Sequence, residues 1–382
     1  MRRIQVIKGM MMTAEALHTE RMTRLKKAIA LERPDRTPIM LAGAFFLKYG
    51  EPTACLADFV NRRDWADDMV MKGYERLQAV DAGGPAVRAR VDAAGANWLS
   101  KTRIPGRELP DDVMWQIDEV GLMTEEDYDT ILNTGWKKFR RDFLVSRLGY
   151  TREQVEPDPE LAKKMDSRFE SAGLVNLQDG IAGGMPYDAL CAGRGMTKFT
   201  RDLYQKPDKV KAVMDVMVAE MVEDEVKYLR ERKPFCTVVA PCVRANAGFI
   251  SRKLFEKFGW PLFKTFTDVA IAEGANVLFH MDATWDNFLD YFTYFPKGRC
   301  IFDPDSTTNI YKIKEALGST MCITGDVSPA MLTVGTPDDV YKYARTLVEE
   351  IGPSGFILSS GCTIPYNAKP ENVEALVAAA VG

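Results

Sequence analysis

The chain contains two histidines, and the second of them, His280, closes an apolar run and is followed two residues later by an acid. The stretch from Asn276 to Asp282 reads NVLFHMD, which is a strand-like pattern ending in an imidazole and a carboxylate. Side chains two residues apart on a strand point to the same side, so His280 and Asp282 are expected to face one site. These two side-chain types bind metal ions or transfer protons.

Cys362 follows the last apolar run of the chain, FILSSG, and supplies a thiol. Together with His280 and Asp282 it would form a facial set of three ligands, which is typical of a catalytic zinc ion that keeps one position open. A second interpretation stays open on spacing alone. A strand-end histidine bonded to an acid also occurs as a satisfied polar pair, and a cysteine beside a glycine also occurs as simple packing.

The elements that position these residues alternate regularly in the second half of the chain. Apolar, β-like runs cover residues 235–243, 275–282, 298–305, 320–328 and 355–362, and helical patterns lie between them. Near-continuous apolar strands separated by helices indicate a parallel sheet covered on both faces. No GxGxxG fingerprint opens any of the helices, so we predict the α/β class and a (β/α)8 TIM barrel instead of an open doubly wound sheet.

The first half of the chain is less regular. Residues 37–46 and 173–183 are strand-like, whereas about 99–170 shows no clean alternation and is predicted to be a partly helical insertion near the substrate site. A helical extension precedes the first strand. We find no internal repeat or low-complexity linker, so residues 1–382 are expected to form a single barrel domain.

Active sites of parallel barrels lie at the C-terminal ends of the strands, and this rule selects further residues. Asp282 and Asp326 become candidate catalytic residues. Candidate substrate-binding residues are Tyr187, Arg194, Arg244, Asp179 and Trp285. Structural roles are open for several of them, because Asp326 also fits a helix cap and an arginine is often part of a surface ion pair.

The composition excludes several classes of function. There are 50 basic and 54 acidic residues, giving a formal net charge of -4, and no basic face or tail argues for a nucleic-acid partner. No apolar run approaches the roughly 20 residues needed to cross a bilayer, so no membrane association is expected. The seven cysteines are widely spaced without a CxxC pair, which favours a reduced, cytoplasmic setting.

Several segments resemble the uroporphyrinogen decarboxylase superfamily, and more closely its corrinoid-dependent methyltransferase branch. The most specific segment begins CITGDVSPAML and ends at the last helix, where the family's seventh and eighth β/α units are matched in order and spacing. The resemblance is weak through about 88–170. The segments that carry it are 24–40, 183–215, 249–264 and 322–376.

This resemblance implies a barrel enzyme that moves a methyl group between a small methylated substrate and a corrinoid (cobalamin) carried by a partner protein. In the thiol-handling members of the branch, zinc is held by His-x-Cys at one strand end and by the Cys of a Gly-Cys pair after the last strand. His280 and Cys362 match two of these ligands, and Asp282 replaces the third. The resemblance therefore implies a zinc site of altered composition.

The exchange of a thiolate for a carboxylate makes a harder, more electrophilic centre, which favours an O-methyl donor such as an aryl methyl ether over a thiol. Decarboxylases of the superfamily carry an arginine-rich motif early in the chain, and the run from Thr37 to Asn61 contains no arginine. Two alternatives stay open: a metal-independent lyase, and a non-catalytic relative that binds a corrinoid or its carrier protein. The oligomeric state is also open.

Overall fold

The structure of the protein, a computed structural model, describes residues 12–84, 91–156, 158–180 and 184–382. Parallel strand segments in these ranges form a barrel. We number them in chain order: β1 is Ile39 with Met40, β2 is Ala82–Gly83, β3 is Val175–Asn176, β4 is Cys236–Val239, β5 is Asn276–Met281, β6 is Cys300–Pro304, β7 is Cys322–Val327 and β8 is Phe356–Ser360.

The barrel is closed by its short first strands. Strands β4 to β8 form one continuous parallel sheet. Ile39 bridges to Leu358 in β8, and Met40 bridges to Ala82 in β2. Strand β2 pairs with β3, and the N–H of Asp179 donates to the carbonyl of Cys236 at 3.2 Å. Each strand therefore has two neighbours, and the predicted (β/α)8 barrel is confirmed.

Helices surround the barrel and fill the connections between its strands. The α-helices are Ala14–Ile29, Phe45–Gly50, Asp58–Asn61, Arg63–Arg76, Glu126–Thr134, Trp136–Ser146, Arg152–Val155, Pro159–Ser171, Pro186–Arg194, Met196–Gln205, Pro207–Arg232, Arg252–Leu254, Trp260–Ala272, Leu289–Phe292, Ile310–Leu317, Pro329–Val334, Pro337–Glu350 and Pro370–Val381. A π-helical turn covers Phe255–Gly259, and 3₁₀ turns cover Val91–Trp98, Val243–Ala245 and Asp286–Phe288. No helix in the described ranges is both long and apolar enough to span a bilayer.

The barrel interior is packed with small and aliphatic side chains from alternate strand positions. The inward-facing cluster contains Met40, Ala82, Val175, Leu177, Cys236, Val238, Ala240, Leu278, Ile301, Cys322 and Ile357. Leu25, Ala28 and Ile29 belong to the same cluster. The predicted N-terminal extension, the helix Ala14–Ile29, therefore packs against the N-terminal end of the barrel and closes it.

The first half departs from the sequence-based expectation in two places. The strand predicted over 37–46 is short, because Gly43 turns the chain at φ 144° and Phe45 already begins a helix. A side chain at position 43 would meet the carbonyl oxygen of Ile364 at 2.4 Å, so the turn requires glycine. Strand β2 was not predicted at all, since two residues carry no periodicity.

The region expected to be an insertion, about 99–170, has two parts. Its first part contains a hairpin of Lys101–Arg103 with Gln116–Asp118, followed by three helices. Its last helix, Pro159–Ser171, leads into β3 and is tied by Arg168 to Asp68 of the helix Arg63–Arg76 at 2.9 Å. That last helix is therefore one of the helices that connect the strands of the barrel, and it does not belong to the insertion. Residues 181–183 of the strand predicted over 173–183, and residues 1–11 of the predicted domain, lie outside the described ranges.

Candidate metal centre

His280 lies near the C-terminal end of β5 and points into the mouth of the barrel. Leu278 faces the interior, so the alternation of the strand turns His280 to the same side. In the sheet register His280 is paired with Asp303 of β6, and its Nδ1 lies 3.0 Å from Asp303 Oδ2. Its Nε2 lies 3.3 Å from Asp282 Oδ1. One ring nitrogen is therefore held by the sheet, and the other is presented to Asp282.

Asp282 is positioned by the loop that follows β5. The indole Nε1 of Trp285 donates to the backbone carbonyl of Asp282 at 2.7 Å. The next residue, Ala283, takes a left-handed conformation with φ 67°, and its N–H donates to Asp305 Oδ2 at 2.6 Å. This conformation is costly for a residue with a side chain and is maintained by the surrounding contacts. The turn leaves the carboxylate of Asp282 beside His280.

Cys362 reaches the same place because the residue before it is a glycine. A side chain at Gly361 would meet the Oγ of Ser306 at 1.8 Å, so only glycine lets the loop after β8 pass this close to the loop after β6. The N–H of Gly361 donates to the carbonyl of Val327 at 2.9 Å. The potential ligand atoms of His280, Asp282 and Cys362 all lie within 4.8 Å of one another.

The electrostatics of this group are dominated by acids. Burial lowers the pKa of His280, but the hydrogen bonds with Asp282 and Asp303 outweigh it and raise the pKa well above the usual range. Burial opposes ionisation of Asp282, and the contact with His280 outweighs it and lowers the pKa of the carboxyl. Burial raises the pKa of Asp303 and of the Cys362 thiol, and the neighbouring His280 opposes both increases without cancelling them. Two carboxylates and a thiol thus share one imidazole, which is an arrangement that favours a divalent cation.

The structure does not bring Asp326, a predicted catalytic residue, to this group. Its carboxylate accepts a hydrogen bond from the Tyr343 hydroxyl at 2.7 Å, and Tyr343 belongs to the outer helix Pro337–Glu350. Burial raises the pKa of Asp326 to about 6, and the bond from Tyr343 opposes that rise. Asp326 therefore joins strand β7 to the surrounding helices, and we do not include it in the candidate site.

Two predicted substrate-binding residues are paired within the scaffold. The carboxylate of Asp179 accepts from the Tyr228 hydroxyl at 2.6 Å and pairs with Arg232 at 3.0 Å. The guanidinium of Arg194 pairs with Asp202 at 2.9 Å. These contacts direct both side chains toward neighbouring helices, so the structure assigns them to packing between elements.

Two predicted aromatic contacts are part of the core. Trp285 is 0% exposed and packs edge-on against Phe263, with ring centroids 5.6 Å apart. Tyr187 is also buried and packs edge-on against Phe199 at 5.1 Å. Trp285 acts on the site only through its hydrogen bond to the backbone of Asp282. Neither ring is accessible to a substrate.

Arg244 is the predicted substrate-binding residue whose loop is connected to the loop of Asp282, and its role in binding stays a prediction. It belongs to the turn Val243–Ala245, which begins shortly after β4. This loop is joined to the loop of Asp282, because the N–H of Ala247 donates to the carbonyl of Thr284 at 3.1 Å. The partly buried guanidinium pairs with Glu119, which follows the hairpin of the insertion.

Asp303 and Asp188 are site residues whose roles sequence reasoning did not identify, although the strand-end rule places Asp303 on the predicted rim. Asp303 directly follows the apolar run CIF, and the only signal for its role is its register partner, His280. Asp188 lies in a helix far from His280 in the sequence, and no local pattern distinguishes it. Its full burial beside the Arg244 loop becomes visible only in the folded chain.

Comparisons with known proteins agree with the fold. The family model described as uroporphyrinogen decarboxylase (URO-D) matches residues 184–381, which is more than half of the chain. A curated uroporphyrinogen decarboxylase from Syntrophotalea carbinolica is 23% identical over 224 residues, which are 57% of this chain and 61% of that protein. The chain thus spans 61% of the length of the curated relative that it matches.

Among solved structures, a methyltransferase from Methanosarcina mazei is similar with a TM-score of 0.64 and 17% sequence identity, covering 97% of this chain and 98% of that one. This likeness concerns the fold. The family model covers more than half of the chain, and the closed barrel agrees with it. The chain belongs to the uroporphyrinogen decarboxylase family, and the predicted family resemblance is confirmed.

Proposed function

We propose that the protein is a zinc-dependent methyltransferase that moves a methyl group from a small O-methyl donor, such as an aryl methyl ether, to the cobalt of a corrinoid held by a partner protein. The observation that carries this proposal is the convergence of His280, Asp282 and Cys362 at the barrel mouth. Membership of the family and the likeness in fold to the Methanosarcina mazei methyltransferase support the reaction class.

The residues present fit zinc. One imidazole nitrogen, one carboxylate oxygen and one thiolate sulfur form a mixed set of three protein ligands, as catalytic zinc sites have. Asp303 accepts a hydrogen bond from Nδ1 of His280, which fixes the ring and leaves Nε2 to act as the ligand atom. When bound, zinc would supply a Lewis acid for the oxygen that leaves the methyl group.

The presence of Asp282 where thiol-handling relatives have a cysteine favours an oxygen substrate. In the proposed transfer the bond between the methyl carbon and the ether oxygen breaks, and the oxygen keeps the bonding pair and takes up a proton. Cobalt in its Co(I) state, carried by the partner protein, supplies the electron pair for the new bond. Solvent supplies this proton. The side chain of Asp282 is 42% exposed, so its carboxylate oxygen that does not bind zinc is our candidate to relay the proton from solvent.

Metal analysis of the purified protein tests the site, and the chain offers a matched control. Cys55 and Cys362 are the two cysteines that are partly exposed, whereas the other five are buried. We expect about one zinc per chain in the wild type and in Cys55→Ala, and little zinc in Cys362→Ala. Equal zinc in both variants, or a wild type without zinc, would contradict the proposed ligand set.

A methyl-transfer assay tests the reaction. The protein is incubated with a Co(I) corrinoid protein and a panel of O-, S- and N-methylated donors, and methylation of the cobalt is followed by absorbance. We expect transfer from an oxygen donor. Decarboxylation of a small acid by zinc-free protein would instead indicate a lyase, and corrinoid-protein binding without turnover would indicate a non-catalytic relative.

A further inference from the structure

A two-pronged ion pair joins the loop after β4 to the insertion. The Nη1 of Arg244 lies 3.0 Å from Glu119 Oε2, and its Nη2 contacts the other carboxylate oxygen. This fork-to-fork arrangement is the one in which a guanidinium recognises a carboxylate most selectively. Arg244 belongs to the barrel, whereas Glu119 belongs to the segment after the hairpin strand Gln116–Asp118.

Arg244 is held in place by a second, buried acid that does not depend on Glu119. The carboxylate of Asp188 accepts from the backbone N–H groups of Val243 at 2.8 Å and of Arg244 at 2.9 Å, and it lies 3.9 Å from Arg244 Nε. Asp188 is fully buried in the helix Pro186–Arg194. The backbone of Arg244 is therefore fixed independently of Glu119.

The loop that carries this fork is connected to the loop that carries a proposed metal ligand. The loop of Arg244 is hydrogen-bonded to the loop of Asp282 through Ala247 and Thr284. Asp282 is also close enough to Asp188 to oppose its ionisation, in addition to the larger effect of burial. The ion pair and the proposed metal ligands therefore lie on loops that are hydrogen-bonded to each other.

Glu119 lies outside the contacts that anchor the hairpin to the barrel. The hairpin is anchored to the loop after β8 by the hydrogen bond from Tyr366 to Asp112 at 2.8 Å, and to the loop after β1 by the edge-on packing of Trp115 on Phe59. These anchors do not involve Glu119, whose own residue is exposed and outside regular structure. Exchanging one carboxylate for another on Arg244 leaves the local charge unchanged.

We propose that Arg244 recognises a carboxylate of the substrate and that Glu119 occupies this position until the substrate displaces it. The inference rests on the proposed function, because it names the class of methyl donor: a small methyl ether that carries a carboxylate at the end remote from the methoxy group. Arg244 is then a specificity-determining residue, and Glu119 competes with the substrate for it.

Equilibrium binding to the zinc-loaded protein, measured by calorimetry without a corrinoid protein, tests this inference. The probes are 4-methoxybenzoate and its neutral counterpart 4-methoxybenzamide. We expect the wild type to bind the benzoate about tenfold or more tightly than the amide, since a charge-assisted, two-pronged bond is lost in the amide. Equal affinities, or no binding of the benzoate, would overturn the inference.

Three variants distinguish recognition of a substrate carboxylate by Arg244 from a purely structural role of the Arg244–Glu119 pair. Glu119→Gln removes the competing charge, so the benzoate is expected to bind several-fold more tightly while the amide is unaffected. Asp118→Asn, which removes a neighbouring charge of the hairpin, is the matched control and should change neither affinity. Arg244→Gln should abolish the preference for the benzoate. Unchanged or weaker benzoate binding in Glu119→Gln would show that the pair only latches the hairpin, and would overturn the inference.

These outcomes are distinguishable from a failure of the proposed function. A protein that binds the benzoate through Arg244 but transfers no methyl group to a Co(I) corrinoid protein overturns the proposed reaction and leaves the carboxylate site intact. A protein that transfers methyl groups equally well from charged and neutral ethers overturns the carboxylate site alone.

Discussion

The two ends of the barrel each contain a cluster of charged side chains, and the clusters differ in their balance. At the N-terminal end, the fully buried carboxylate of Asp81 receives Arg24 at 2.5 Å, Arg36 at 2.8 Å and the N–H of Ile39 at 2.9 Å. At the C-terminal end, the carboxylates of Asp282 and Asp303 and the thiol of Cys362 surround one imidazole.

The difference separates a structural cluster from a functional one. Around Asp81 the guanidinium groups of Arg24 and Arg36 both lie within hydrogen-bond distance of the buried carboxylate, and these pairs tie the first two strands to the N-terminal helix. Around His280 the acids outnumber the cation, which costs stability in the protein alone and is offset when a cation binds. The position of the unbalanced cluster at the strand C-termini is also where barrels place their active sites.

The largest effect is expected from a substitution that disrupts the balanced cluster around Asp81. Asp81→Asn removes the buried carboxylate that pairs with both Arg24 and Arg36 and should lower the free energy of unfolding by about 3 to 5 kcal/mol. Urea unfolding measures this change, and the folded fraction should keep its zinc. Glu20→Gln removes an exposed partner of the same arginine and should cost less than about 1 kcal/mol. Loss of zinc in Asp81→Asn would contradict the separation of the two ends.

A substitution at the C-terminal end of the barrel tests the unbalanced cluster around His280. Cys362→Ala should lower the methyl-transfer rate by at least about 100-fold, because a Lewis acid contributes several kcal/mol to such a reaction. The free energy of unfolding of the zinc-free protein should change by less than about 1 kcal/mol, since the partly exposed thiol packs little surface. Steady-state rates and urea unfolding test the two halves of this prediction. A destabilised Cys362→Ala protein with unchanged turnover would contradict the assignment of Cys362 to the functional cluster.

A smaller effect is expected when only the orientation of the imidazole is disturbed. Asp303→Asn keeps a hydrogen-bond acceptor for His280 Nδ1 but removes its charge, and it should weaken zinc binding about 10- to 100-fold. Competition with a chelator measures this affinity. Asp305→Asn, whose carboxylate contacts the backbone of Ala283 instead, should have a smaller effect. Equal losses in both variants would indicate a general effect of charge.

The smallest effect concerns a buried acid that lies outside both clusters. Burial raises the pKa of Asp326 to about 6, above its value of about 3.9 in an unfolded chain. The folded state therefore holds this proton more tightly, so the contribution to stability is complete below about pH 4 and is lost as the pH rises through about 6. Asp326→Asn should reduce the fall in unfolding free energy between pH 4 and pH 7 by roughly 1 to 2 kcal/mol. An unchanged fall would show that Asp326 titrates normally.

Much of the fold was predictable because the later strands are long and apolar. Strands β4 to β8 lie within the five runs recognised in the sequence, and the helices between them follow from the helical pattern. The first three strands have two residues each, so their pairing depends on neighbours and not on their own periodicity. The turn at Gly43 likewise depends on Ile364, which is distant in the sequence.

For the site, the sequence by itself determined the types of ligand and their places after apolar runs. His280, Asp282 and Cys362 are recognisable in this way because a strand end in a parallel barrel is a defined position. Only the tertiary structure decided which acids join them. Asp303 faces His280 because the two strands pair in that register, whereas Asp326, at an equivalent strand end, turns outward to Tyr343. The direction of a side chain beyond a strand end depends on its partners, and those come from elsewhere in the chain.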